Sequence, residues 1–305
     1  MGKNIKDFKS WNTVSEAGTW GEWMQSLVTG AKAEAPELGA DTKSAIANVK
    51  DLAGKAADKI SDIFGIDNKD DKDAKIKPGK SFKSTDGKIP EEYVAALEAA
   101  MDRHGITNDF SRKAILGVVS KESPNLKPEV DYSGTSNSRI REVFGSRVSE
   151  LSDSQLNALK SNPTAFWDRV YGPTDPTGKG AKYGNSEPGD GEKYRGRGFN
   201  GITFKSNYRN LQKIYNEIGK LKTSDNIDIV ANPEQLEDPE IAAEFAILYY
   251  IDTFKRVDKK LNAYNDLESA VTDYVRATAG WGSDITSGVK AQGFNRALAY
   301  AQSLV

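Results

Sequence analysis

Tyr194-Arg195-Gly196-Arg197-Gly198-Phe199-Asn200-Gly201-Ile202-Thr203-Phe204-Lys205-Ser206-Asn207-Tyr208-Arg209 is the stretch on which the reading of this chain turns. Gly196, Gly198 and Gly201 are threaded between tyrosine, arginine and phenylalanine. Glycine permits backbone conformations and close approaches that a side chain would block. Tyrosine and arginine offer flat faces and forked donors. Such a loop suits a cleft that grips a polar polymer of rings, such as a sugar chain. Arg-Gly runs also occur in flexible segments that bind nucleic acid. Here the run is short and unrepeated, and the polar stretch behind it, 206–219, is compatible with a helix. The formal net charge of -2 also argues against a dedicated nucleic-acid binder.

The rest of the composition narrows the chemistry. The 305 residues suffice for one sizeable domain and an accessory segment. With no cysteine there is neither a disulfide framework nor a thiolate metal site. The single histidine, His104, argues against a His-cluster metal site and a Ser-His-Asp triad. It could serve as a lone base, or as a cap where Gly105 ends a helix. Catalysis would then rest on carboxylates, hydroxyls, amides and arginines, with no cofactor and no metal. No apolar run approaches the ~18–20 residues of a transmembrane helix, and no apolar core follows the basic start that a secretory signal would need. The expectation is a protein made in the cytoplasm and not inserted in a membrane.

Three regions separate along the chain. Residues 1–65 hold Trp11, Trp20 and Trp23, three of the five tryptophans. Within them, Ile46, Val49, Leu52, Ala56, Ile60 and Ile63 recur at helical spacing and form an apolar stripe. That stripe can pack on a neighbouring helix or dock into a partner protein. Residues 66–88, with the mixed-charge run 67–75, Pro78-Gly79 and Asp86-Gly87, read as a linker. Residues 89–305 are mostly helical in pattern. Pro90-Glu91-Glu92 opens one helix carrying Val94, Leu97 and Met101, and a second runs from near Asn108 to before Pro124. Further helices are predicted around 152–160, 206–219, 239–260, 266–278 and 292–303. The Gly-, Pro- and Asp-rich stretch 172–193 is predicted as loop.

On the second helix, Ile115, Val118, Val119 and Glu122 share one face. Glu122 either continues that stripe into the interior, where burial would favour its neutral, proton-donating form, or sends its head to solvent at the helix end.

Beyond the residues stands a resemblance. Tyr194-Arg195-Gly196-Arg197-Gly198, Ile202-Thr203 and Asn207-Tyr208 resemble the signature of the family 19 glycoside hydrolases, chitinases and bacteriophage endolysins among them, typically YRGRG-x-x-Q-[IL]-T-G-x-x-NY. Ser120-Lys121-Glu122-Ser123 resembles the family's catalytic His-Glu-Ser/Thr segment. Arg139–Phe144 and Trp167–Tyr171 resemble two phage-type segments that lie between. Asn232-Pro233…Leu236 and Asp238-Pro239…Ala242 resemble the downstream "NP-x-x-L…DP-x-x-A". The ordered series spans roughly residues 90–300.

The resemblance implies a mainly α, lysozyme-like catalytic domain over residues 89–305. It implies Glu122 as the general acid. Glu129 is the best match for the second carboxylate and Asp131 the reserve. Thr203 would position the attacking water, although a helix-cap role suits it as well. An activated water means inversion, with the carboxyls about 6.5–9.5 Å apart. Tyr194, Arg195, Arg197, Asn200 and Tyr208 would grip the sugar. Trp281, in Thr278-Ala279-Gly280-Trp281-Gly282 where relatives carry "N-G-G", could stack on a sugar ring or anchor the core. Two positions depart from the pattern: Gly201 stands where the family has glutamine, and Phe204 where it has glycine. The implied substrate is bacterial peptidoglycan, or chitin. The implied setting is a phage virion, with residues 1–65 docking on phage structural proteins at the tail or baseplate. A free endolysin and a structural virion protein without activity are the alternatives.

Overall fold

The computed structural model describes residues 78–82, 89–122, 126, 132–223 and 226–305. The expected docking segment 1–65 and most of the expected linker lie outside the described residues. Those described are mainly helical. No β-strand forms among them, and Arg197 and Ile202 make an isolated antiparallel bridge.

Helix α1 (Glu91–Arg103) starts behind Pro90 with Glu91 and Glu92 in its first turn, where the helix dipole favours acids. Helix α2 (Asp109–Glu122) follows a short turn and buries every residue from Ala114 to Val119. It approaches α11 (Gly288–Ser303) so closely that a Cβ on Gly117 would lie 2.5 Å from the Ala297 carbonyl oxygen. Helix α9 (Pro239–Arg256) is buried on nearly all sides from Ile241 to Phe254. It begins where the Asp238 carboxylate accepts the Glu240 and Ile241 N–H groups at 2.9 and 3.0 Å, with Pro239 as the first helical residue. The "DP" element of the sequence pattern is thus a helix start in physical terms. Helices α1 and α8 (Lys205–Ile218) pack on α9, and α10 (Leu267–Ala279) and α11 pack on α2. Together they enclose the main core, which includes Leu97, Met101, Ile115, Phe245, Phe254 and Tyr274.

A second, smaller core joins α3 (Asn137–Phe144), α4 (Asp153–Lys160) and α5 (Pro163–Tyr171). Ile140, Phe144, Leu156, Phe166, Trp167 and Val170 fill it. The helices α3 and α5 were not expected as helices. Each spans only eight or nine residues, too few turns for a period to stand out, and each is set by a cap: Ser136 accepts from the Arg139 N–H, and Asn162 from the Ala165 N–H. Helix α11 begins four residues before its expected start.

The stretch 172–193 is connection, as predicted, but contains the single turns α6 (Lys179–Lys182) and α7 (Asp190–Lys193). Three buried aspartates give it form. Asp168 accepts the Gly189 and Gly191 N–H groups at 2.7 and 3.0 Å. Asp175 accepts those of Thr177 and Gly180, at 2.9 and 3.1 Å. Asp190 accepts those of Ser186 and Glu187 and pairs with Lys205, all at 3.1 Å. A loop without a ladder must satisfy its backbone from side chains, and these carboxylates do so.

Inside the expected linker, residues 78–82 lie against this domain. The Gly79 N–H donates to Asp102 at 3.0 Å, the Phe82 N–H to Glu98 at 2.6 Å, and the Phe82 ring is buried in the main core.

Candidate functional site

The stretch 194–204 forms a tight loop that leads into α8, whose first turn carries Asn207 and Tyr208. Arg197 and Ile202 exchange backbone hydrogen bonds at 3.2 and 2.8 Å, and the Phe204 N–H donates to the Tyr194 carbonyl at 2.9 Å. The turn between requires positive φ at Gly198 (+70°) and Gly201 (+57°). The positive φ at Gly201, where the resembled family carries glutamine, is one that glycine adopts most easily.

Most of the sugar-gripping candidates in this loop are engaged with the protein itself. The Tyr194 hydroxyl donates to the Val230 carbonyl at 3.1 Å, and the Tyr208 hydroxyl to the Arg195 carbonyl at 2.8 Å. Their rings meet edge to face at 5.3 Å. Burial pushes the Tyr208 hydroxyl up to about 12. Arg197, also buried, donates to the Lys193 carbonyl at 2.6 Å and to Glu237 at 3.3 Å. These three residues frame the loop.

Arg195, Asn200 and Thr203 keep more capacity. The Arg195 guanidinium lies 5.7 Å from the Trp167 ring and 3.5 Å from Glu192, and its Nε has no partner. The Asn200 amide donates to the Ala246 carbonyl at 3.4 Å, while its Oδ1 is buried and unpaired. The Thr203 hydroxyl donates to the Gly201 carbonyl at 2.9 Å, and its oxygen can still accept. That bond closes the turn and is not a helix cap.

Glu122 is the last residue of α2, and its side chain is 32% exposed. The apolar stripe stays inside through Val119, and the carboxylate leaves it at the helix end and pairs with Lys121. Lys121 in turn lies over Gly293 of α11. The charge of Glu122 also reaches α9. Burial raises the Tyr249 and Tyr250 hydroxyls above the ordinary phenol value, and Glu122 adds to the shift of both. The expected second carboxylate, whether Glu129 or Asp131, lies outside the described residues.

Trp281 is half-buried. Its ring stands edge-on to Phe254 at 5.4 Å, with the Lys259 ammonium 5.5 Å from its centre. Of the two roles expected for it, these contacts build the core anchor. His104 caps α1, and its ring binds buried Glu244 of α9 at 2.7 Å.

Sequence reasoning missed the part played by α9. Ala246, Tyr250 and Phe254 follow one another at four-residue steps, on one face. The Ala246 carbonyl accepts from Asn200, and Phe254 meets the Trp281 ring. The signal available was the pair Tyr249-Tyr250 inside an otherwise apolar helix. A separate polar cleft of about 370 Å³ lies at the start of α10, lined by Lys259, Asp266, Glu268, Ser269, Thr272 and Asp273. It contains none of the expected catalytic residues. Among the described residues, no group of three or more carboxylates and histidines is placed to hold a metal ion, and no helix is long and apolar enough to cross a membrane. Comparison of the chain with known protein families and with curated proteins finds no match.

Proposed function

We propose that this chain is a peptidoglycan-degrading glycoside hydrolase with a lysozyme-like catalytic domain, carried in a bacteriophage virion. The observation that carries the reading is the setting of Glu122. It ends a helix buried in the main core, and its carboxyl opens to solvent. A rigid base with an accessible carboxyl suits a general acid. In this reading Glu122 protonates the glycosidic oxygen and Glu129 activates a water on the opposite face of the sugar. The water takes the anomeric carbon with inversion. Arg195 and Asn200, with donors and acceptors still open, are the residues of the loop best placed to bind the sugar. Residues 1–65, with their tryptophans and apolar stripe, supply attachment to phage structural proteins.

Gly201 favours a second reading, a structural virion protein that keeps the fold without the activity, because it removes an amide from the expected substrate grip. Zymography on peptidoglycan and chitin, run side by side with wild type and Glu122→Gln, separates the two. The hydrolase reading expects clearing of peptidoglycan by wild type and a loss of about 10²–10⁴ in rate in the folded variant. Fresh product should be the α-anomer by proton NMR. Clearing of neither polymer by wild type, or near-normal turnover by Glu122→Gln, overturns the assignment.

A further inference from the structure

Basic residues gather in one part of this chain. From 179 to 222 stand ten lysines and arginines against four acids, whereas from 223 to 305 there are seven against thirteen. The fold brings much of that excess together around the start of α8. The Ser206 N–H donates to the Tyr183 carbonyl at 3.0 Å and the Lys205 N–H to Asn185 at 2.8 Å, which seats α8 against the end of α6. The Lys193 and Lys205 ammoniums each lie 5.4 Å from the centre of the Tyr194 ring, and the Lys182 ammonium lies 5.8 Å from that of Tyr183. Arg209 stands one turn beyond Lys205 on the same face of α8. Of the acids, Asp190 holds Lys205, and Glu192 is engaged by Thr164 and Arg195. The exposed cations Lys179, Lys182, Lys193 and Arg209 outnumber the two exposed acids of the stretch, Glu187 and Glu217. Lys193 leads through Tyr194 straight into Arg195, in the loop proposed to bind sugar.

We propose that this basic face binds the carboxylates of peptide-substituted glycan, and so selects peptidoglycan over chitin, whose chain carries none. The choice of ligand rests on the hydrolase reading above. Exposed lysine and arginine attract carboxylates, and a patch of one sign concentrates a polymer of the other sign at the surface. A densely charged polymer such as a nucleic acid would meet the acidic remainder of the domain along its length, and the net charge of -2 does not favour it. In peptidoglycan the carboxylates hang from a sugar chain of low charge, and that chain can run on from the basic face to Arg195.

The test uses the full chain and labelled soluble peptidoglycan fragments, with carboxyls either free or converted to amides. Kd is measured at low and high salt beside the rate of cleavage. One variant combines Lys182→Glu, Lys193→Glu and Arg209→Glu, and a milder one combines Lys182→Gln, Lys193→Gln and Arg209→Gln. Wild type should bind the free form about tenfold more tightly than the amidated form at about 10 mM salt, and within about twofold at about 0.5 M. The charge-reversed variant should bind the free form about tenfold more weakly than wild type and the amidated form within about twofold. The glutamine variant should fall between, and it decides the matter if charge reversal unfolds the protein. Equal affinity of wild type for the two forms at low salt overturns the proposal, as does wild-type affinity in the folded variants. Tighter binding of a DNA duplex of matched length, lost in the same variants, also overturns it. Charge-dependent binding without cleavage removes the hydrolase reading and keeps the face, and cleavage without charge dependence does the reverse.

Discussion

Phe204 holds φ at +72° and ψ at 136°, a region that side chains other than glycine rarely adopt. It stands where the resembled family carries glycine, the residue to which this conformation comes most easily. Its ring meets Tyr171 at 5.5 Å and Tyr183 at 5.2 Å, which ties the loop to α5 and α6. The backbone strain is on the order of 1–3 kcal/mol, and aromatic contacts of about 0.5–1.5 kcal/mol each offset it. Phe204→Ala removes the rings and keeps the strain, whereas Phe204→Gly removes both. The glycine variant should be more stable than the alanine variant by about 1–3 kcal/mol in urea unfolding, the reverse of the usual order of about 0.5–1 kcal/mol in favour of alanine. The usual order at this position would mean that the strain is absent.

The elements are joined by a charge buried between them. Glu244 of α9 is fully buried and accepts from His104 at 2.7 Å, from Arg103 at 3.1 Å and from the Lys220 N–H at 2.7 Å. Burial opposes ionisation of Glu244, but the His104 hydrogen bond and charge and the Lys220 and Leu221 N–H groups outweigh it and hold the carboxyl at about 2. A carboxyl lowered on folding contributes stability that is full above its unfolded value and is lost as pH falls through the folded one. Here that window runs from 4.5 down to about 2. At roughly 1.4 kcal/mol per pKa unit, the contribution is about 3 kcal/mol. Urea unfolding of wild type should therefore weaken between about pH 5 and pH 2.5. Glu244→Gln, which cannot titrate, should flatten that part of the curve. An equal pH slope in the two proteins would assign acid sensitivity to other groups.

At the scale of the whole molecule, residues 78–82 belong with the helical domain. Arg112, fully buried, donates to the Lys80 carbonyl at 3.0 Å and to Asp102 at 2.6 Å. The Phe82 ring lies in the core beside Lys80 and Lys113. A chain beginning at Ile76 should unfold within about 1 kcal/mol of the full length and cleave purified wall at a similar rate. A chain beginning at Ile89 gives up the Phe82 anchor and should lose about 3 kcal/mol or more. If residues 1–65 serve attachment, the chain beginning at Ile76 should also be missing from assembled particles. Equal stability of the two shortened chains would show that 78–82 contributes nothing.

The sequence by itself determined the local parts. Helix α1 and helices α2, α4, α8, α9 and α10 follow from apolar period and caps such as Ser152, Asp238 and Asp266, because each signal acts within one or two turns. Glu122 stood out in the same way, as an acidic residue at the end of an apolar stripe, and its candidacy as the acid came from the resemblance. Whether its head stayed inside was not legible, because that depends on α11 and on where Lys121 lies. Only the tertiary structure decided that Tyr194, Arg197 and Tyr208 frame the loop, through Val230, Glu237 and Arg195. It also decided that three aspartates shape 172–193, and that α9 meets both Asn200 and Trp281. Those contacts join residues far apart in the chain, as His104 and Glu244 are, 140 positions from each other. A hydrogen bond between distant residues leaves no period in the sequence, since its partners meet only after the helices have packed.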